Sequence, residues 1–315
     1  MATQTSETVL QLDGGTLTAK LGGLPVAALR ELTLSIGRGR VLGVVGESGA
    51  GKSMLARLIS GLLPGGFTVT SGSMHFDGQD MLAMSKLKRR ALLGRKIAFI
   101  PQEPLTALNP LWTIADTFNE HLARVGVPSN ERWETARKAL ESVQLPVPAD
   151  MLKRYPHQLS GGQCQRVLIA MAFASNPALL IADEPTTALD VITQTRVMRM
   201  LAEQQRVHST AVLLITHDLR LAAHVCDDVA VMYAGDLVEY GPARDVLHEP
   251  RHPYTRALKY ATPDLTGPRR RLPVLAQQMP GLSALAGIAG CRFAPRCPSA
   301  GAACAAVLRT RVAPN

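Results

Sequence analysis

Aromatic residues are scarce in this sequence: Trp 2, Tyr 5 and Phe 6 make up 4% of 315 positions, and none precedes Phe67. Lys86, Lys88, Arg89, Arg90, Arg95 and Lys96 form a basic cluster with no ring among them, so a base-stacking surface is unsupported. Long apolar runs are missing as well. The longest uncharged segment, residues 272–290, contains two prolines and several glycines, and nothing reads as a membrane span. The N-terminus lacks the basic-then-apolar pattern of a signal peptide. The expectation is a cytosolic protein that reaches a membrane only through partners. Cysteine is sparse too: Cys164 and Cys226 are isolated, and Cys291, Cys297 and Cys304 crowd near the end. That is not a secreted disulfide framework, and the first two read as packed thiols.

What is present suffices for a large core, with 46% hydrophobic residues. Thirty-four Lys and Arg against 25 Asp and Glu give a formal charge of +9, which fits nucleic acid, an anionic membrane surface or, most simply, a solvated basic face. Arg269-Arg270-Arg271 is a second basic run.

From Thr8 to Ile36 the pattern is short, β-prone and turn-rich, which predicts an antiparallel flap. Val41-Leu42-Gly43-Val44-Val45 is a continuous apolar run of the kind buried in a parallel sheet, and a helix opens at Lys52. Further apolar strands fall at 97–100, 179–182, 212–215 and 229–232, between helical patterns. This alternation predicts a doubly wound α/β core over 1–101 and 168–240. Between them, 102–167 reads as an inserted helical subdomain broken at Asn109-Pro110, Val127-Pro128 and Pro146-Val147-Pro148. Residues 241–315, rich in Pro, Gly and Ala from about 263 onward, form an appended C-terminal region.

Gly46-Glu47-Ser48-Gly49-Ala50-Gly51-Lys52-Ser53 follows a buried strand and opens a helix, the context a phosphate loop requires. Its glycines let backbone N–H groups converge on phosphate oxygens at a helix N-terminus. Lys52 would neutralise the β/γ-phosphates of ATP, and the Ser53 hydroxyl would enter the shell of Mg²⁺. The strand at 179–182 leads into Asp183 and Glu184. Asp183 suits Mg²⁺; Glu184 is then free to orient or deprotonate the attacking water. His217 closes another apolar strand and is assigned to the γ-phosphate. Gln102 ends the strand at 97–100 and could touch Mg²⁺ or water, reporting nucleotide state to the insertion.

Ser160-Gly161-Gly162-Gln163 precedes a helix and is a second anion-ready start. One ATP does not need two such starts from one subunit. The economical solution is a two-fold dimer in which each 160–163 string caps the nucleotide of the other subunit.

Together, the phosphate loop, Gln102, Leu159 to Gln163, Asp183-Glu184, Ala188-Leu189-Asp190 and His217 resemble the ATP-binding cassette ATPases over roughly residues 30–260. Finer strings resemble the ATPase subunits of oligopeptide, dipeptide and nickel importers: the run from Ile100 to Pro110, Tyr155-Pro156-His157-Gln158, Met232-Tyr233-Ala234-Gly235 and the run from Arg251 to Leu258. The resemblance implies a P-loop NTPase core of cassette type and ATP hydrolysis driving uptake of a peptide, nickel or metal chelate. It also implies a second ATPase subunit, identical or not, with Asp190 at the dimer. Two membrane permeases would be met by the segment after Gln102, and an extracytoplasmic binding protein would feed them. The chain would sit peripherally on the cytoplasmic face of the inner membrane and bind no nucleic acid.

Two features depart from the family pattern. The flap lacks the aromatic that usually stacks on adenine, so the base would be held by apolar residues with weaker selectivity. The tail string from Gly290 to Pro298 resembles a cysteine motif associated in some members with a [4Fe-4S] cluster. Cys291, Cys297 and Cys304 are nevertheless spaced C-x5-C-x6-C and lack the fourth thiolate such clusters take, which favours an apo tail over a bound cluster. Chromosome-maintenance and DNA-repair ATPases are the alternative, but they carry long coiled coils between their motifs, and no heptad run separates Ser53 from Ser160. A regulatory, catalytically dead cassette would be expected to lack Glu184 or His217.

Overall fold

A pair of glycines makes the first reversal of the chain. Gly22 and Gly23 sit at φ 56 and 84, the left-handed pair that a two-residue hairpin turn needs, and they join β1 (Thr8–Leu21) to β2 (Leu24–Gly37). Gly14-Gly15 interrupts β1 without ending it. The register with its antiparallel neighbour slips between Asp13 and Thr16, so this is a bulge inside one long strand. The computed structural model describes residues 8–187, 189–262 and 278–306.

Among these residues the chain groups into two units. One takes in Thr8–Ile36, Val41–Ala83 and the described part of Leu214–Asn315. Its strands are hydrogen-bonded in the order β5 (Gln79–Asp80), β4 (Phe67–Phe76), β1, β2, β10 (Asp236–Pro242), β9 (Asp228–Tyr233) and β3 (Val41–Val45). The expected antiparallel flap is there, and β4 and β5 enlarge it. Phe67–Phe76 is rich in Ser and Gly, which hid a strand that pairs with β1 throughout. β3 runs parallel to β9, while β10 returns antiparallel through a turn at Ala234 and Gly235, both at positive φ. Helices α1 (Lys52–Ser60), α9 (Leu219–Val225), α10 (Ala243–His248) and α11 (Pro253–Ala261) belong to the same unit.

The other unit takes in Gly37–Arg40 and Met84–Leu213. β6 (Ile97–Ile100) runs parallel to β7 (Leu179–Asp183), with β8 (Ala211–Ile215) on the far side of β7, and every residue of β7 and β8 is buried. Such wholly apolar strands belong in a sheet covered on both faces. The helices are α2 (Lys86–Leu92), α3 (Pro104–Ala107), α4 (Ile114–Val125), α5 (Arg132–Ser142), α6 (Pro148–Leu152), α7 (Gly161–Phe173) and α8 (Val191–His208).

α4 shows how firmly local chemistry sets these ends. Thr113 and Asp116 form a reciprocal capping box at its start, and Gly126 at φ 97 closes it. Phe118, Leu122, Leu140 and Ile169 bury the facing sides of α4, α5 and α7. The basic cluster falls on and just after α2, which buries no residue, so this part of the excess charge is solvated. Arg269-Arg270-Arg271 lies outside the described residues.

Cys164 and Cys226 are packed thiols, as the sequence suggested. Burial raises both, Cys226 to about 12, which leaves neither reactive as a thiolate.

Candidate functional site

β3 delivers the chain into a loop only glycine could make. A Cβ on Gly46 would stand 2.3 Å from the Met232 carbonyl oxygen, and Gly51, at φ 103, is the left-handed N-cap of α1. The loop folds on itself through Ala50 N–H donating to the Glu47 carbonyl at 3.1 Å. Lys52 is 6% exposed, and its ammonium donates to the carbonyls of Gly46 at 2.8 Å and Glu47 at 3.0 Å, which holds it over the loop. Ser53 follows in the first turn of α1, and Ser48 and Gly49 are exposed at the tip. Backbone donors, a cation and a hydroxyl at one helix start fit a polyphosphate with a hard cation. In the same unit, exposed His217 lines a cleft of about 470 Å³ with Gly46, Glu47, Asp218, Arg220 and Leu258.

In the other unit β7 ends on Asp183, which is 8% exposed. The next residue, Glu184, is at φ 47, a left-handed conformation that a residue with a Cβ adopts only under constraint from its surroundings. Its Oε2 accepts from the Gln102 amide at 3.3 Å and from the Thr187 hydroxyl at 2.9 Å. Gln102 and Glu184 therefore come together from strand ends 82 positions apart. Thr187 had no signal in the sequence beyond proximity to the acid pair.

Ser160 caps α7. Its hydroxyl accepts from Gln163 N–H at 3.3 Å while the Gln163 side chain accepts from Ser160 N–H at 2.9 Å. Gly162 is buried, and a Cβ there would stand 2.6 Å from Thr193 Cγ2. Thr193 is itself fixed, donating through Oγ1 to Asp190 at 2.6 Å. Asp190 caps α8, and these hydrogen bonds, led by the Thr193 hydroxyl, lower its carboxyl pKa. The 160–163 string and Asp190 thus form one contiguous surface with Leu189 beside Gly161. Ala188 lies outside the described residues.

The described tail cysteines do not gather with one another or with other donors into a metal-holding group. Cys291 is buried, Cys297 and Cys304 are half-buried, and among the described residues no three His, Cys, Asp or Glu side chains gather where a metal ion could be held. Burial raises the Cys291 pKa. These three cysteines are fewer than the four thiolates a [4Fe-4S] cluster takes. What the sequence did mark without explaining is a packing centre: Tyr233, Tyr254 and Phe293, one ring from each of three family-like strings, meet edge-on or tilted at 4.7–5.3 Å between centroids.

A glycine loop on a helix start, an acid pair ending a buried strand and a capped 160–163 helix define an ATPase of the ATP-binding cassette class. Residues 29–187 match the family model described as ABC transporter, and residues 238–304 match the oligopeptide/dipeptide transporter C-terminal region. The chain belongs to the ABC transporter family. It is 44% identical over 284 residues, 89% of this chain and 85% of the relative, to the probable D,D-dipeptide transport ATP-binding protein DdpD of Escherichia coli. The dipeptide transport ATP-binding protein DppD of the same organism is also 44% identical, over 90% of this chain and 86% of its own length. Among solved structures, the dimeric cassette MJ0796 bound to ADP and phosphate aligns with TM-score 0.66 and 28% identity, covering 75% of this chain and 99% of that one.

Proposed function

We propose that this chain is the ATP-binding and ATP-hydrolysing subunit of an importer for dipeptides or oligopeptides. The carrying observation is that a cassette is joined to a C-terminal region of the oligopeptide/dipeptide type, and that the likeness to dipeptide transport relatives runs over 89–90% of this chain. Peptide is favoured over nickel or a metal chelate as cargo because those relatives are named for peptide transport. Chromosome-maintenance function finds no support, and neither does a dead cassette, since Glu184 and His217 are both in place.

In one unit, the N–H groups of 46–53 and Lys52 are assigned to the phosphates, His217 to the γ-phosphate and Ser53 to Mg²⁺. In the other, Asp183 and Gln102 are assigned to Mg²⁺. The ion, when bound, neutralises charge on the phosphates. Glu184 is the general base, and the bonds from Gln102 and Thr187 fix where its carboxylate points. Ser160 to Gln163 would cap the nucleotide of a second ATPase subunit, with Asp190 at the same seam; MJ0796, which is dimeric, supports a paired arrangement.

The helical segment 102–167 would carry the change to two permeases. After Gln102 it exposes Leu105, Leu111 and Trp112, apolar side chains suited to a partner's helices. Among the described residues no helix is long and apolar enough to cross a membrane, so membrane attachment is assigned to those partners. The test is reconstitution with its partner permeases in lipid vesicles. Uptake of a labelled dipeptide should require ATP and vanish with Lys52→Ala, and ATP-independent uptake would refute the proposal.

A further inference from the structure

Glu47 is an unexpected residue in a loop built to hold phosphate. Its side chain is 27% exposed, and a carboxylate near bound polyphosphate opposes binding unless another charge cancels it. Arg296 comes to it from 249 positions away: Nη1 donates to Glu47 Oε2 at 2.8 Å and Nη2 to Oε1 at 3.4 Å. Both carboxylate oxygens are engaged, which the planar guanidinium fork does and a lysine ammonium does not.

Arg296 is held in a built seat. Its side chain is 4% exposed, its Nη1 also donates to the Tyr233 hydroxyl at 3.4 Å, and its guanidinium carbon lies 5.6 Å from the Tyr233 ring centroid. Burial opposes its charge, and the bonds to Glu47 and Tyr233 outweigh that, raising its pKa.

The segment around it is fastened from several sides. Arg30, ion-paired with Asp236, donates to the carbonyls of Ile288, Ala289 and Gly290 at 3.2, 2.9 and 2.8 Å. Arg292 donates to the carbonyls of Ala234 at 2.6 Å and Ala27 at 2.8 Å. The phosphate loop meets this region at two further points. Glu47 N–H donates to the Tyr254 hydroxyl at 2.9 Å, and Met279 Cγ lies 3.4 Å from where a Cβ on Gly49 would stand. The C-terminal region is thus seated against the loop at Glu47 and Gly49.

We propose that Arg296 is a positioning residue of the phosphate loop: it neutralises Glu47 and draws its carboxylate toward the tail, so that the C-terminal region sets the affinity for nucleotide. This rests on the reading of residues 46–53 as the ATP site. The experiment measures MgATP binding and steady-state hydrolysis on the full-length chain for wild type, Arg296→Ala, Arg296→Gln, Arg296→Lys, Arg296→Ala with Glu47→Gln, and Lys52→Ala. Loss of the pair should raise Kd and KM for ATP about tenfold in the Ala and Gln variants with kcat within about twofold. Lysine should recover part of the affinity, and removing the Glu47 charge in the Arg296→Ala background should recover most of it. Unchanged ATP affinity in Arg296→Gln would overturn the inference. So would a loss that Glu47→Gln fails to relieve and that follows a fall in Tm, since that is the mark of a merely structural contact. Wild type that binds no ATP, or Lys52→Ala that binds it normally, would instead strike the nucleotide reading itself.

Discussion

The Gln102 amide stands 3.3 Å from Glu184 Oε2, the same oxygen that takes the Thr187 hydroxyl at 2.9 Å. Two donors converging from separate positions fix where this carboxylate points. Glu184→Gln removes the base and preserves the shape, so ATP hydrolysis should fall by about 10²–10⁴-fold. ATP-driven association of cassettes should persist, because binding does not need the proton acceptor. Phosphate release and size-exclusion chromatography with ATP check the two halves, and undiminished turnover would contradict the base assignment.

Gly162 leaves no room for a methyl group. Thr193 Cγ2 lies 2.6 Å from the would-be Cβ, and Thr193 cannot swing aside without giving up its 2.6 Å bond to Asp190. Gly162→Ala should therefore destabilise by about 1–3 kcal/mol through overpacking. It should also cut ATPase activity by displacing Asp190, while ATP binding to the separate chain stays normal. Thermal denaturation paired with nucleotide titration measures both, and Thr193→Ser in the same background, which removes the clashing methyl and keeps the hydroxyl, should restore much of the loss.

Much of this was legible because it is local. The strands at 97–100 and 179–182 and the loop at 46–53 announce themselves through apolar runs and glycine spacing. β4 hid behind Ser71-Gly72-Ser73, since its place depends on pairing with β1 and not on its own propensity. Arg296 was invisible as part of the site for a similar reason: its partner Glu47 is 249 positions away, and no spacing rule reaches that far. What the tail cysteines do was not legible from their spacing: Cys291 packs into an apolar cluster that includes Tyr254 and Phe293.

Leu111 is 83% exposed and Trp112 is 41% exposed on the segment that follows Gln102. If they form the face toward the permeases, Leu111→Asp and Trp112→Asp should reduce peptide uptake in reconstituted vesicles by about tenfold or more, the scale of a lost interface anchor. ATPase activity of the separate chain should stay near the wild-type value, since the bonds that fix Glu184 come from Gln102 and Thr187. Equal uptake by all three proteins would place the docking surface elsewhere.

His252 links the acidity of the medium to the phosphate loop at Glu47. Its Nδ1 accepts from Tyr254 N–H at 3.1 Å and caps α11, which works only while that nitrogen is unprotonated; Tyr254 in turn accepts from Glu47 N–H. Burial lowers the His252 pKa, partly countered by the nearby Glu239 carboxylate. The unfolded chain therefore takes up this proton first as pH falls, and stability declines from about pH 6.5 downward, the unfolded value of histidine. His121 and His208, also lowered by burial, carry the same sign, so the informative quantity is a difference between variants. His252→Asn keeps an acceptor for the cap and removes the titration. Between about pH 7.5 and 5.5 the Tm of wild type should fall further than that of His252→Asn, and its KM for ATP should rise more. Parallel Tm profiles would mean that the α11 cap does not sense pH.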